Sequence, residues 1–432
     1  MSSSTEEQLL QSLDFSLAKT ANYVTERRLA SFYPSGASQF SPDGVRVARF
    51  NITGDHWLDP SSLRLYFKLV NTGAAPLQCA GGPHLILDRV RLLIGGVVCE
   101  DLGPHYGRSH ELLRRILMPP DWVENDAIEG LEASVQDQRF QPVAAQPLNP
   151  GGYAMLNLTP MLSILNAGKY LPLAYAPMQL ELTLADSADV LVPNSTGSYI
   201  IENMSLRASL VRLDSAVQAS FANLLMQNRA LPIALNTVHT QVVSVPRGST
   251  SIDVQAVRAF SRLNALFVSF ITHGEQSHNG ISFHNPSERA NDVTGNAYEE
   301  MTLRWQVQLG SKLYPEAPST SIAESFSLLR QTVGVYDESI RTLNLTSQSY
   351  KSSRFVIGIP LQTVQGMPFS GLNTRSGDLL NFRAQNVHPS ANGTGDVSKL
   401  TEMRDMCSEA TSFNQLLNTW DVSKITVISF LS

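Results

Sequence analysis

The chain has 432 residues, with 32 Lys and Arg against 38 Asp and Glu and a formal net charge of −6. That length exceeds what one hydrophobic core usually supports, so two domains of roughly 200 residues each are the starting expectation. The acidic balance, with no run of Lys or Arg, lacks the footprint of a surface that holds nucleic acid, and no specific nucleic-acid binding is expected.

The N-terminus, MSSSTEEQLLQSLDF, is polar and acidic where a secretory signal is basic and then apolar. Nowhere do eighteen apolar residues run together, so the chain reads as one made without secretion. Residues 1–43 read as an arm. Leu9, Leu10, Leu13 and Leu17 fall at helical spacing after Ser2 to Thr5, which predicts a short amphipathic helix. Such a helix can pack on its own domain, on a neighbouring subunit or against an inner membrane, and the sequence leaves these open.

From 44 the period changes to two. Val45 to Ile52 and Leu63 to Val70 alternate apolar with polar residues, and Asn71-Thr72-Gly73 ends the second run. Leu85 to Ile94 follows, then a Gly95-Gly96 turn and a short strand to Leu102. Glu111 to Leu117 reads as a helix, Tyr153 to Leu158 as a strand, Pro160 as the start of a helical turn, and Met178 to Leu184 and Ser205 to Leu213 as strands. About eight strands therefore fill 44–214. The stretch Ser215 to Asn228, without Gly or Pro, reads as a helix inside a linker at 215–236.

Beyond the linker the layout restarts over 237–432. Nineteen residues after Ile94, at the first turn, comes Leu113 in its helix; nineteen after Leu309, at the Gly310 turn, comes Leu328 in the helix Ser325 to Arg330. Val238 to Val245 is set against the first strand, Leu263 to Phe270 against the second and Met301 to Leu309 against the third. Phe355 to Pro360 matches the run ending at Pro160, Asp378 to Phe382 the strand after Pro177, and Lys424 to Leu431 the closing strand. The fold class is all-β: two tandem eight-stranded sandwiches with short helices in loops and a helical linker.

No constellation carries chemistry. His273, His278 and His284 sit at spacings of five and six that fit no common zinc pattern. Asp55-His56-Trp57-Leu58-Asp59-Pro60 gathers acid, base and aromatic, yet Asp-Pro-Ser-Ser is turn chemistry and the Trp suits a sandwich edge. His105 and His110 flank Ser109, which reads as the N-cap of the first helix. Glu299 and Glu300, and Asp186 with Asp189, read as solvated carboxylates. Arg375, between Gly371 and Gly377, can hold an anion or pair with a carboxylate of a neighbouring domain or subunit. Cys79, Cys99 and Cys407 are too few for a disulfide framework and read as small buried apolar residues in a reducing compartment. Asn51, Asn157, Asn194, Asn203, Asn344 and Asn392 open Asn-X-Ser/Thr triplets, and none is expected to carry sugar. No catalytic, cofactor-binding or metal residue is assigned, and the chain is not read as an enzyme.

The segments WLDPSSLRLYFKLVN at 57–71, RVRLLIGG at 89–96, YLPLAYAPMQLELTL at 170–184 and NTRSGDLLNF at 373–382, in this duplicated frame, resemble the double jelly-roll major capsid proteins of adenovirus-like, Polinton-like and large DNA viruses. The resemblance spans 44–432 as architecture and texture. It implies two jelly rolls standing upright in a shell, a homotrimer that closes a pseudo-hexameric capsomer, and an icosahedral virion assembled inside the host cell. It implies self-association, then contact with neighbouring capsomers and with penton or minor capsid proteins, and no cofactor. Thr272 to Tyr298, Gly366 to Gly377 and Glu124 to Gly151 would form the outward loops. The competing expectation is a tandem β-sandwich carbohydrate-binding protein or cupin-like enzyme, which would cluster His and carboxylates in a concave site.

Overall fold

The computed structural model describes residues 23–409 except 76, 118–150, 193–194, 196–197, 228–230, 232, 234, 244, 246–248, 257, 261, 272–282, 287–299, 335–342, 344, 352, 365–369, 376–379 and 388–401. Alternation builds the strands. In β4 (Val47–Ile52), Ala48, Phe50 and Ile52 are buried while Val47, Arg49 and Asn51 face out. In β10 (Met178–Leu184) the buried Met178, Leu180, Leu182 and Leu184 alternate with Gln179, Glu181 and Thr183. One dry face and one wet face is the pattern of an antiparallel sandwich.

In the first half, β1 (Val24–Phe32), β5 (Trp57–Asn71), β8 (Gly151–Asn157) and β11 (Tyr199–Leu213) form a sheet in the order β1-β11-β5-β8. Facing it, β6 (Leu87–Ile94) and β7 (Val97–Leu102) join the earlier two strands in the order β4-β10-β6-β7. Three two-residue strands trim these sheets: β2 (Pro34–Ser35) on β4, β3 (Gln39–Phe40) on β11 and β9 (Leu171–Pro172) on β5. In the second half, β12 (Leu235–Val242), β14 (Leu263–Ser269), β17 (Val356–Pro360) and β19 (Glu402–Glu409) run β12-β19-β14-β17. The facing sheet, from β13 (Ser251–Gln255), β15 (Glu300–Leu309), β16 (Lys312–Ser321) and β18 (Leu380–Gln385), runs β13-β18-β15-β16. With the three two-residue strands set aside, the described residues give eight strands in each half, and these correspond one to one, both along the chain and across the sheets.

The correspondence expected from the sequence is displaced at both ends. Residues 24–40 are not an arm: β1 pairs with β11 from Val24↔Leu213 to Phe32↔Leu206. The counterpart of β12 is therefore β1, and β4 answers to β13. Among the described residues β19 holds the place of β11, between β12 and β14, and Lys424 to Leu431 lies outside the described residues, as do Leu9 to Leu17. Asp59-Pro60-Ser61-Ser62 is no turn but part of β5. Register there jumps from Asp59↔Ser209 to Arg64↔Arg207, so the extra residues bulge, and the Ser61 and Ser62 hydroxyls donate to the Asp59 carboxylate and carbonyl.

Three helices of twelve residues place the halves. Helix α1 (Tyr106–Leu117) begins before Ser109, so Ser109 is no cap; its hydroxyl lies 2.8 Å from the Thr240 hydroxyl on β12 and joins the two halves. Helix α2 (Ser215–Met226), the linker, is capped by Asp214, whose carboxylate accepts from the Ala216 N–H. Its Phe221 ring sits 5.0 Å from Trp57, beside Val211 and Leu213, so the tryptophan fastens the linker to the first sheet. Helix α3 (Ile322–Val333) runs from the Ser321 cap to Gly334, which takes the left-handed φ of 75° that favours glycine at a helix end.

Gly358 on β17 lets α3 approach. A Cβ there would lie 2.8 Å from Leu329 Cδ1 and 3.0 Å from Leu329 Cα. Gly358→Ala is expected to destabilise the protein by about 1–3 kcal/mol through overpacking, read as a lower urea midpoint with an unchanged slope.

Candidate interaction face

The outer surface of the β1-β11-β5-β8 sheet is built from the alternate residues that the core does not use. Register sets Arg64, Tyr66 and Lys68 of β5 beside Asn157, Met155 and Tyr153 of β8, and Arg64 and Tyr66 beside Arg207 and Ser205 of β11. On β1, Leu29 lies opposite Ser209 and Ser31 opposite Arg207. The planar groups stack in a row across three strands. The Arg207 guanidinium lies 3.9 Å above the Tyr66 ring, Tyr66 stacks on Tyr153 with centroids 5.5 Å apart, and the Lys68 ammonium lies 5.7 Å from the Tyr153 ring. Where β11 changes register, Asn203 adopts φ 52°. A cleft of about 630 Å³ opens there between the row and the Tyr33 to Ser38 segment.

Exposed apolar groups gather on the same face. Leu29 is 71% exposed, Tyr33 72% and Tyr153 55%. Tyr, Arg and Met are the side chains enriched at protein interfaces, because they combine large contact area with donors on rigid frames. The first half's other sheet presents the opposite chemistry. Arg49 on β4 and Arg91 on β6 both reach Glu181 on β10, at 2.8 and 3.1 Å, and Arg89 grips Asp101 on β7 at 2.6 Å. That ladder satisfies its own charges and offers little to a partner. In the second half every residue of β14 is buried, and α3 packs against β17 through Leu329 at Gly358. Among the described residues, no such helix covers the first half's tyrosine face beyond the Trp57 end.

The polar groups singled out in the sequence do not converge on a site. His110 is buried in α1 with its Nδ1 3.2 Å from the Tyr106 hydroxyl, and the His84 ring next to it meets the Glu111 carboxylate at 2.8 Å. Glu111 is also 3.4 Å from Arg114, and these side chains are 3% exposed or less, which closes them to substrate. His105 lies outside this cluster, its N–H donating to Asp88. His56 pairs with the neighbouring Asp55 on the surface. Asp186 and Asp189 are not simply solvated: Asp186 pairs with Arg46 at 3.0 Å and Asp189 with Arg108. Arg375 is exposed and its backbone N–H donates to Asn373. His284 donates its backbone N–H to Phe270, while His273 and His278 lie outside the described residues, as do Glu299 and the Cys407 side chain. Cys79 and Cys99 are buried and free, and burial pushes both thiols up to about 12, far from thiolate chemistry.

Comparison with solved structures places this architecture. PBCV-1 VP54, fitted into a reconstruction of the virophage Sputnik, aligns over 91% of this chain and 95% of its own with a TM-score of 0.55 at 14% identity. The fold is a double jelly roll. The Faustovirus major capsid protein aligns over 91% of both chains with a TM-score of 0.53 at 6% identity. The Sputnik virophage structure aligns over 92% of this chain and 88% of its own, with a TM-score of 0.52 at 10% identity. At such identities the likeness is one of fold. No curated protein matches the sequence. Residues 381–431 match a family described as a Mycoplasma protein of unknown function, DUF285, which covers one strand and part of another in the second jelly roll.

One buried acid in the first jelly roll sets a pH test. Glu100 on β7 is fully enclosed and accepts from the Ser163 hydroxyl at 3.1 Å and the Ile164 N–H at 3.0 Å. Burial pushes its carboxyl up to about 8, against the opposing pull of those donors. A folded value above the unfolded one gives stability that is whole below the ordinary glutamate range and lost as pH rises through about 8. Melting temperature is expected to fall between about pH 5 and about pH 8, and Glu100→Gln to flatten that fall.

Proposed function

We propose that the chain is a structural protein, a major capsid protein that trimerises into pseudo-hexameric capsomers of an icosahedral shell. The observation that carries the reading is the paired topology. Two sandwiches with identical strand order lie in tandem, and the alignments to capsid structures run over 88% or more of both partners. A shell subunit works through its surfaces, which accords with enclosed polar clusters and with a tyrosine-rich sheet face left open. The first unit would run over 24–213 and the second from 235 onward, joined by α2. The residues before β1, with Leu9, Leu10, Leu13 and Leu17, would pack on their own domain, on a neighbouring subunit or against an inner membrane. The protein would act in the virion without enzymatic activity, its partners being copies of itself and then penton or minor proteins. The carbohydrate-binding or cupin-like alternative is not favoured, since the alignments over most of both chains are to capsid structures.

Trimer contacts of an obligate assembly bury on the order of 2,000–5,000 Å². Light scattering of the purified protein at low micromolar concentration should give three times the 47.3 kDa chain mass. Negative-stain images should show hexagonal particles. A clean monomer at that concentration overturns the reading.

A further inference from the structure

We infer that the Arg207–Tyr66–Tyr153 row is where a second copy of this chain docks, and that the docking segment is the exposed edge strand β16 with Glu316. This deepens the shell-subunit reading and rests on it. The row itself selects the class of partner. Tyr66 has one ring face covered by Arg207 and the other by Tyr153. A nucleobase or a sugar ring binds aromatics through their faces, and at Tyr66, the centre of the row, both faces are spent. What the row offers outward is ring edges, phenol hydroxyls and guanidinium N–H groups, which suit the carbonyls and carboxylates of a protein segment.

Charge narrows the partner further. Among the described residues Arg207 makes no ion pair, whereas Arg27, Arg46, Arg49, Arg89, Arg91 and Arg108 of the same half each hold a carboxylate. The acids near the row are engaged: Glu202 accepts from Gln39 at 2.9 Å and Asp59 is held by Arg27 at 2.9 Å. A face carrying Arg64, Lys68 and Arg207 on a chain of net charge −6 is complementary to another copy of that chain.

The second half supplies the matching surface. Among the described residues, the corresponding sheet there is covered by α3 at β17 and has every residue of β14 buried, so the contact joins unlike surfaces, as ring-closing assemblies require. Strand β16 is the outer strand of its sheet and reads Lys312-Leu313-Tyr314-Pro315-Glu316-Ala317-Pro318, with Leu313 41% exposed and Glu316 exposed. Glu324, exposed in the first turn of α3 next to it, adds a second acid. Two prolines bar ordinary strand addition along β16, so its side chains are what it can present.

The test uses the full chain. Arg207→Glu and Tyr153→Ala are surface changes, and circular dichroism should show both folded. Each is expected to raise the concentration at which the trimer half-dissociates by roughly tenfold or more. Adding Glu316→Arg to Arg207→Glu should restore much of that loss. In a second arm that does not depend on stability, a Tyr153→Cys and Glu316→Cys double variant in a Cys407→Ser background, treated with a short thiol cross-linker, should give covalent dimers and trimers, and the Cys407→Ser background alone should give none, since Cys79 and Cys99 are buried. A trimeric wild type whose variants remain as tight, with no cross-linked product, overturns this assignment and leaves the shell-subunit reading standing. A monomeric wild type removes the reading itself. Loss in Arg207→Glu without recovery by Glu316→Arg, and without cross-linking, overturns the seat on β16.

Discussion

The structure depends on how each half closes. Its first strand pairs with its last, β1 with β11 and β12 with β19, and the last strand then stands between the first strand and the third long one. No sheet containing these strands can form until nearly the whole half has been made, because the partners lie at opposite ends of it. Folding should accordingly be governed by distant contacts, a slow class in which unpaired edges are exposed for long periods. The sparse apolar content of β1 and the prolines of β16 fit that demand, since both make poor templates for stray pairing.

Much of this was legible in the residues, and the failures have physical causes. Strands that bury one face announce themselves by period two, so β4 and β10 are legible in place and β11 from Ser205 on, and the glycine turns at Gly95 and Gly310 mark the matching hairpins in both halves. Strand β1 was missed because Thr25-Glu26-Arg27-Arg28 puts polar groups on both faces, which only an edge strand can bear. Asp59-Pro60-Ser61-Ser62 has turn chemistry, and it does break the ladder, but as a bulge within one long strand. Ser109 reads as a cap only for a helix that starts at Glu111; Tyr106 and His110 also belong to the helix, buried against the His84 turn.

The tyrosine row was not legible. Tyr66, Tyr153 and Arg207 come from three strands, and nothing in their spacing along the chain brings them together. One faint signal exists. Along Leu63 to Val70 the outward positions are Arg, Tyr, Lys and Val, richer in apolar and aromatic surface than the outward Arg49, Glu181 and Arg91 of the facing sheet. Two sheets of one sandwich thus expose different chemistries, one closed upon its own charges and one open. Duplication supplied two like frames, and the helices placed on them, with α3 across β17 and α1 at the junction, made the frames unlike in what they present.

The pairing of first and last strands also places both ends of the first sandwich at one point. Antiparallel register sets Val24 opposite Leu213, and the Asp214 N–H donates to the Tyr23 carbonyl at 2.8 Å. A chain that leaves a domain beside the spot where it came in can be cut out, moved or copied with little rearrangement of what it leaves behind. Joining the two ends directly and opening the chain in a loop elsewhere would yield a rewired sandwich with the same core. The same geometry makes a tandem copy easy to append, because the new unit needs only one short connector, and α2 is that connector.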